Sequence, residues 1–209
     1  MSDIQILRRR LSPERQRRRE KTISQTMALM ASMGTRFSME DVASATHVSR
    51  STLYRDFTSR EHLIAEVTLA AGHALASHLG SHPPGGKTIG DRIGQLCSKV
   101  MQVAGENELL LACCVTNLSS TDPAVLDSYS EIEHVVSALM TSVLCEVKPA
   151  NSGLVEPLVF RYLLGGFALA TTGKIGYPQI AEELTQLCSL LLADVWTVEC
   201  HPFDIPPHS

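Results

Sequence analysis

The stretch that decides the fold lies at residues 34–63 and reads GTRFSMEDVASATHVSRSTLYRDFTSREHL. It contains two short amphipathic segments, and each begins after a serine, Ser38 or Ser49, of the kind that caps helices well. Asp41 follows Ser38 at the spacing of a capping box, in which side chain and backbone bond each other reciprocally. The stretch therefore predicts a helix over residues 38–45, a tight turn, and a second helix over residues 49–56.

A third helix is predicted before this pair. It begins at about Pro13, since proline is favoured in the first turn, and Gly34 ends it after Met33. The apolar residues of all three helices share one face each and should form one small core. These residues are Ile23, Met27, Met30, Phe37, Val42, Ala43, Val48, Leu53 and Phe57. The segment therefore predicts a three-helix unit with a steep helix-turn-helix crossing.

The other face of the helix over residues 49–56 is polar and rich in hydrogen-bond donors. It carries Arg50, Ser51, Thr52, Tyr54 and Arg55. The major groove of DNA admits one α-helix, arginine binds guanine through two hydrogen bonds, and serine, threonine and tyrosine bind bases or phosphates. This helix is therefore the predicted recognition helix, and Ser38 and Ser49 are predicted as further contacts to double-stranded DNA.

The distribution of charge agrees with a DNA-binding N-terminal part. The net charge of the chain is −4, but residues 1–66 hold 12 basic and 8 acidic residues, whereas residues 67–209 hold 6 and 14. A basic segment joined to an acidic one indicates a module that meets a polyanion. A solvated arginine-rich helix would give the same composition.

The stretch at residues 34–63 resembles the N-terminal DNA-binding domain of the TetR family of bacterial transcriptional regulators, and the resemblance is strong over about fifty residues. It implies a phosphate contact from Arg60 at the start of the fourth helix. The matching positions are Gly34, Phe37, Ser38, Glu40 to Ala43, Val48, Ser49, Leu53, Tyr54, Phe57, Ser59 and Glu61. The sequence departs from the family pattern at the turn, where His47 replaces glycine, and at Ser51, Thr58 and Arg60. Histidine tolerates a positive φ better than most residues, so the turn should survive.

Arginines are dense at the start of the chain, and two interpretations of them stay open. They are Arg8, Arg9, Arg10, Arg15, Arg17, Arg18 and Arg19. A basic arm could follow the minor groove or adjacent phosphates, or it could be flexible and solvated.

Helical periodicity recurs through the remaining chain, and alternating strand-like runs are nearly absent, so the predicted fold class is all-α. Later helices are predicted over residues 59–79, 88–104, 106–117, 123–147, 153–172 and 178–198. The predicted domains are a basic arm (1–12), the helix-turn-helix domain (13–58), a helical effector-binding and dimerisation domain (59–198) and a Pro-rich tail (199–209).

The TetR resemblance implies that the C-terminal domain binds a small molecule and forms a homodimer. Candidate pocket residues are Met101, Leu110, Cys114, Asn117, Val136, Met140, Phe160, Leu164 and Phe167. Ordinary core packing explains each apolar position equally well. Few aromatic residues and no cationic cluster occur there, which favours a small apolar effector, and the layout faintly resembles actinobacterial repressors of sterol and lipid catabolism, whose effectors are steroid derivatives.

Dimerisation is predicted through the last two long helices. Gly165 and Gly166 favour a close backbone approach, and Leu184, Leu187, Leu191 and Val195 form an apolar stripe. A two-fold dimer implies a palindromic operator. The predicted function is a repressor that its effector releases from DNA; a transcriptional activator, or a helical adaptor without DNA binding, is the alternative.

Other classes of protein find little support in the sequence. No phosphate loop, dinucleotide fingerprint, nucleophile elbow or zinc motif occurs, so we expect neither an enzyme nor a bound cofactor or metal. No apolar run reaches the roughly 18 residues that a membrane span needs, and no signal peptide begins the sequence. We therefore expect a cytoplasmic protein with no membrane partner, and reduced, buried cysteines.

Overall fold

The computed structural model describes residues 12–144 and 152–192. Over these residues it holds nine α-helices, two 3-10 turns and no β-strand, in agreement with the all-α prediction. The helices are α1 (Pro13–Met33), α2 (Met39–Thr46), α3 (Arg50–Asp56), α4 (Arg60–Ser81), α5 (Ile89–Glu106), α6 (Glu108–Thr116), α7 (Pro123–Leu144), α8 (Ser152–Thr171) and α9 (Tyr177–Leu191). The tail, Cys145, Cys200 and nearly all of the arm lie outside the described residues.

The helix ends follow the caps that the sequence contains. Ser12, Ser38 and Ser49 each accept a hydrogen bond from the backbone three residues on, and Gly34 ends α1 with a φ of 60°. Most later helices begin and end within two residues of their predicted limits. The exceptions are α7, which ends at Leu144 against the predicted 147 where the described residues also end, and α9, which ends at Leu191, well before the predicted Val198.

Residue packing divides the chain into two compact units. Among the described residues, unit 1 comprises residues 12–71 together with Asn107–Ile132, and unit 2 comprises Gly72–Glu106 together with residues 133–144 and 152–192. The two units do not correspond to single segments of the sequence, since α4 and α7 each contribute residues to both. The predicted domain boundaries divide the sequence by segment, and they stay predictions.

Unit 1 has the small core that the helix-turn-helix pattern predicts. Met30, Val42, Leu53 and Phe57 are fully or almost fully buried. Ile23, Met27, Ala43 and Val48 pack against them and are partly buried. Burying an aliphatic or aromatic side chain of this size contributes roughly 1.5 to 3 kcal/mol, so Leu53 and Phe57, which follows the last residue of α3, suffice to anchor this short helix.

Unit 2 is built on a close approach of α5 to α9. A Cβ atom at Gly94 would lie 2.9 Å from Cγ2 of Thr185, and one at Gly90 would lie 3.0 Å from the carbonyl oxygen of Cys188. The absence of side chains at these two positions therefore lets the helices pack almost backbone to backbone.

Of the two glycines at which a close approach is predicted, Gly166 makes one within the chain, and an approach of a partner to Gly165 stays a prediction. A Cβ atom at Gly166 would lie 2.7 Å from Cγ2 of Ile180, so Gly166 makes room for α9 of the same chain. Gly165 is exposed, and a Cβ atom there would meet nothing within 4 Å. Gly166 is thus explained by packing within unit 2 and needs neither a partner nor a ligand.

The described cysteines are reduced and buried, as the sequence predicts: Cys97, Cys113, Cys114 and Cys188. Burial raises the pKa of Cys114 to about 11. A hydrogen bond with Cys188, together with burial, raises the pKa of Cys97. The thiols of Cys97 and Cys114 are therefore protonated at neutral pH and behave as small apolar groups.

No single helix among the described residues is long and apolar enough to cross a membrane. Helices Glu108–Ser119 and Pro123–Val143 meet the length and composition criteria only together, and they are bent by 117°.

Candidate DNA-binding interface

The turn between α2 and α3 has the left-handed backbone that its histidine was expected to tolerate. His47 has φ 56° and ψ 36°, and it is the one non-glycine residue with a positive φ in the described ranges. The amide of Val48 donates to the carbonyl of Ala43 at 3.2 Å and closes the turn. A left-handed residue with a side chain costs about 1 to 2 kcal/mol, which the packing of the two helices offsets.

Helix α3 presents its polar face outward. Arg50, Ser51, Tyr54 and Arg55 are exposed, Thr52 is half-buried, and Leu53 fixes the opposite side in the core. Ser49 accepts the amide of Thr52 at 3.3 Å, and its hydroxyl lies 3.0 Å from that of Thr52. The described geometry thus holds the predicted contact residues on one accessible surface, while the contacts with DNA themselves stay a prediction.

Ser38 is fully engaged in the capping box of α2. Its amide and its hydroxyl donate to Oδ2 of Asp41 at 2.8 and 2.7 Å, and the amide of Asp41 donates back to Oγ at 3.2 Å. These hydrogen bonds from Ser38 lower the pKa of Asp41. The side chain of Ser38 therefore orders the start of α2, which is a role besides the predicted contact.

Arg60 has a structural task that the sequence did not indicate. Its guanidinium donates to the carbonyl oxygens of Phe37 at 3.2 Å and Thr35 at 2.8 Å, and it lies 4.4 Å from the centre of the Phe37 ring. Arg60 thus connects α4 to the turn before α2. Its phosphate contact stays a prediction.

The later N-terminal arginines belong to the predicted first helix and not to the arm. Arg15, Arg17, Arg18 and Arg19 lie on α1, whereas Arg8, Arg9 and Arg10 lie outside the described residues. Three of these four helical arginines contact Asp56, the last residue of α3. Nε of Arg15 lies 2.7 Å from Oδ1 of Asp56, Nε of Arg18 lies 3.2 Å from Oδ2, and Arg19 donates to the carbonyl of Asp56.

Sequence reasoning missed Asp56 as part of this site. Its carboxylate is buried among the arginines, and Nη2 of Arg15 also donates to the carbonyl of Arg55 at 3.1 Å. Cations are favourable at the C-terminal end of a helix, where carbonyl groups lack partners. The available signal was the spacing of Asp56, which follows Leu53 by three residues and so shares the core-facing side of α3.

The candidate pocket residues divide between the two units. Leu110, Cys114 and Asn117 belong to unit 1, and Nδ2 of Asn117 donates to the carbonyl of Glu61 at 2.7 Å. The other six belong to unit 2: Met101, Val136, Met140, Phe160, Leu164 and Phe167. Met101 and Met140 are fully buried in the core of unit 2, as the packing interpretation predicts.

The last two helices carry an exposed apolar face, but it is not the predicted stripe. Leu184 is fully buried in unit 2, Leu187 and Leu191 are partly buried, and Val195 lies outside the described residues. Large exposed apolar residues instead occur on α8 and α9, at Leu158, Tyr162, Leu169 and Leu190, of which Leu190 is 79% exposed. The hydroxyl of Tyr162 donates to Glu183 at 2.5 Å and connects the two helices.

Comparison with known proteins identifies relatives of this sequence and fold. Residues 23–67 match the family model of bacterial regulatory proteins of the tetR family. The HTH-type transcriptional repressor KstR of Rhodococcus jostii strain RHA1 is 24% identical over 187 residues, which cover 88% of this chain and 87% of that protein.

Two solved structures show how far the fold is shared. A TetR transcriptional regulator from Rhodococcus sp. RHA1 has a TM-score of 0.75 at 18% identity, covering 86% of this chain and 98% of that one. The regulator FadR from Bacillus subtilis, in complex with stearoyl-CoA, has a TM-score of 0.61 at 13% identity, covering 81% and 96%. The likeness therefore extends beyond the helix-turn-helix segment to most of the helical chain.

Proposed function

Since this chain is a regulator of the TetR family, we propose that it represses transcription from a palindromic operator until a small apolar effector releases it. Its DNA-binding part is the helix-turn-helix of α2 and α3. The observation that carries the proposal is the surface of α3, where four exposed polar side chains lie opposite the buried Leu53. A short helix anchored on one side and polar on the other suits the major groove.

The proposed division of labour on this surface follows from side-chain chemistry. Arg50 reads a base, because a guanidinium can donate two parallel hydrogen bonds to guanine. Ser38, Ser49, Ser51, Thr52, Tyr54, Arg55 and Arg60 contact the backbone or support that reading. Contacts to phosphate fix the register of the helix on the duplex, whereas the base contact carries sequence information.

A homodimer through α8 and α9 is part of the proposal. Leu158, Tyr162 and Leu169 follow one another on α8 at helical spacing, and the exposed Gly165 lies among them. Leu190 extends the apolar surface on α9. Covering these residues with a second copy removes apolar area from water, and a two-fold axis places two recognition helices about 34 Å apart, or a multiple of that distance.

The proposed effector is apolar and binds within the C-terminal helices. Unit 2 offers many buried or half-buried apolar side chains, and Phe160, Leu164 and Phe167 lie on one helix among them. The relative FadR is described with stearoyl-CoA, whose long acyl chain has this character. Release of DNA requires that the effector bind more tightly to the conformation that does not fit the operator.

The experiment has two steps and uses the full chain. Genomic fragments that the purified protein retains are sequenced and footprinted, and we expect a protected palindrome. Release of that fragment is then measured with stearoyl-CoA, with a steroid carboxylic acid and with ATP. We expect one of the two compounds that carry a large apolar group, and not ATP, to release it; release by ATP alone would contradict an effector recognised through an apolar group. In the host, the proposal places the protein in the cytoplasm with the chromosome.

A further inference from the structure

A second buried carboxylate, besides that of Asp56, contacts an arginine of α1. Glu66 on α4 is 5% exposed, and its Oε2 lies 2.7 Å from Nη2 of Arg19. Its Oε1 accepts the hydroxyl of Ser128 at 3.1 Å and lies 3.9 Å from Nε2 of His62. Since a buried charge is costly without partners, these contacts determine where Glu66 can lie.

Arg19 connects Glu66 to the recognition helix. One end of its guanidinium donates to the carbonyl of Asp56, the other pairs with Glu66, and the group lies 4.3 Å from the centre of the Phe57 ring. A guanidinium is planar and rigid, so the two ends keep a fixed separation. Arg19 therefore fixes the last residue of α3 relative to α4.

Ser128 brings a fourth helix into the same network. It is 2% exposed on α7, and its hydroxyl is within reach of two acceptors, Oε1 of Glu66 and the carbonyl of Ala124, each at 3.1 Å. Helix α7 continues past Ile132 with residues that belong to unit 2. The helix that bonds Glu66 is thus also a helix of the unit in which we place the effector.

We infer that Arg19, Asp56 and Glu66 are positioning residues for DNA recognition, and that Ser128 makes the orientation of α3 depend on the position of α7. The inference rests on the proposed function, because it takes α3 as the recognition helix. None of the four side chains belongs to the exposed face of α3, so they act on DNA through the angle at which α3 is held.

The first test compares two arginines on the same helix. Arg17 is exposed on α1, so Arg17→Ala removes the same charge as Arg19→Ala without removing a contact to α3. The dissociation constants for a selected genomic fragment and for poly(dI-dC) are measured at one salt concentration. Both variants should weaken binding to poly(dI-dC) equally, whereas Arg19→Ala should weaken binding to the fragment by about tenfold more, the size of a misplaced base contact.

Equal effects of the two variants on both DNAs would overturn the inference, while the proposed function would stand. Failure of the parent protein to retain any genomic fragment would instead refute the proposed function. A variant that is partly unfolded has a smaller fraction of DNA-binding protein and binds both DNAs more weakly by the same factor. The ratio of the two dissociation constants therefore separates partial unfolding from a positioning effect. Where Arg19→Ala does not fold by circular dichroism, Arg19→Lys takes its place in the same comparison.

The second test addresses the connection to α7. Ser128→Ala removes one hydroxyl, and we expect about a threefold weaker binding to the fragment with unchanged binding to poly(dI-dC), within the range of network mutations. A double-mutant cycle with Arg19→Lys should show non-additive effects on the fragment. Additive effects would overturn the role of Ser128.

Discussion

The guanidinium of Arg50 lies 2.7 Å from the carboxylate of Glu40, so the arginine that we expect to read a base is paired with α2 when no DNA is bound. Both side chains are more than half exposed. Exposed pairs of this kind contribute about 0 to 1 kcal/mol, so the pair gives way readily to a guanine or a phosphate.

Glu40→Gln should therefore tighten binding to the operator by a few fold, because Arg50 no longer has to leave a carboxylate and one repelling charge is lost. Glu14→Gln, on the exposed side of α1, changes the net charge equally and serves as the control. Fluorescence anisotropy at low salt measures both. Equal gains for the two variants would show that the pair has no influence on binding.

Arg50→Ala and Tyr54→Ala should have different effects on the sequence preference of DNA binding. Loss of a bidentate base contact costs about 1 to 3 kcal/mol and relaxes the preference at one operator position. Loss of the Tyr54 side chain, and with it the hydroxyl that we expect to bind phosphate, should weaken binding to all sequences alike, because phosphate contacts carry no sequence information. Binding to a set of single-base operator variants measures both effects. An Arg50→Ala variant that kept the full preference would place base reading elsewhere.

Gly94→Ala should destabilise unit 2. The new Cβ atom would lie 2.9 Å from Thr185, closer than real Cβ contacts come, and overpacking of this kind typically costs 1 to 3 kcal/mol. Gly72→Ala is the matched control, since its Cβ atom meets nothing within 4 Å and alanine is favoured in helices by about 1 kcal/mol. Urea unfolding at one protein concentration should show opposite signs, and the same sign for both would contradict the helix approach described here.

Leu190→Glu should shift the protein from dimer to monomer, because it places a charge in the apolar face of α8 and α9. Leu126→Glu, at a similarly exposed leucine of α7, should leave the dimer intact. Sedimentation equilibrium measures the molecular mass, and so the oligomeric state, of both variants. Dissociation by Leu126→Glu alone would move the interface to α7.

Local signals in the sequence predicted the helix-turn-helix unit well. The caps Ser38 and Ser49, the stop at Gly34 and the spacing of Val42, Leu53 and Phe57 act over a few residues, so their consequences are readable from the chain itself. The turn was expected to survive with His47 in place of glycine for the same reason, since the steric demand of the turn is local.

Contacts between distant residues were not predictable in this way. Arg19 lies 47 residues before Glu66 along the chain, and nothing in composition distinguishes its inward guanidinium from that of the exposed Arg17. Leu184 was predicted at a dimer surface but is buried within unit 2, because periodicity shows which positions of a helix are apolar but not which neighbour covers them. The pocket residues divided between two units for the same reason.

Footprinting of fragments selected from the host genome tests the central claim most directly. If α3 is the recognition helix of a two-fold dimer, the protein should protect two half-sites on one face of the duplex, about 34 Å apart or a multiple of that distance, at modest ionic strength. A variant in which Arg50 and Tyr54 are both replaced by alanine should lose this protection. Absence of protection on every selected fragment would contradict the account.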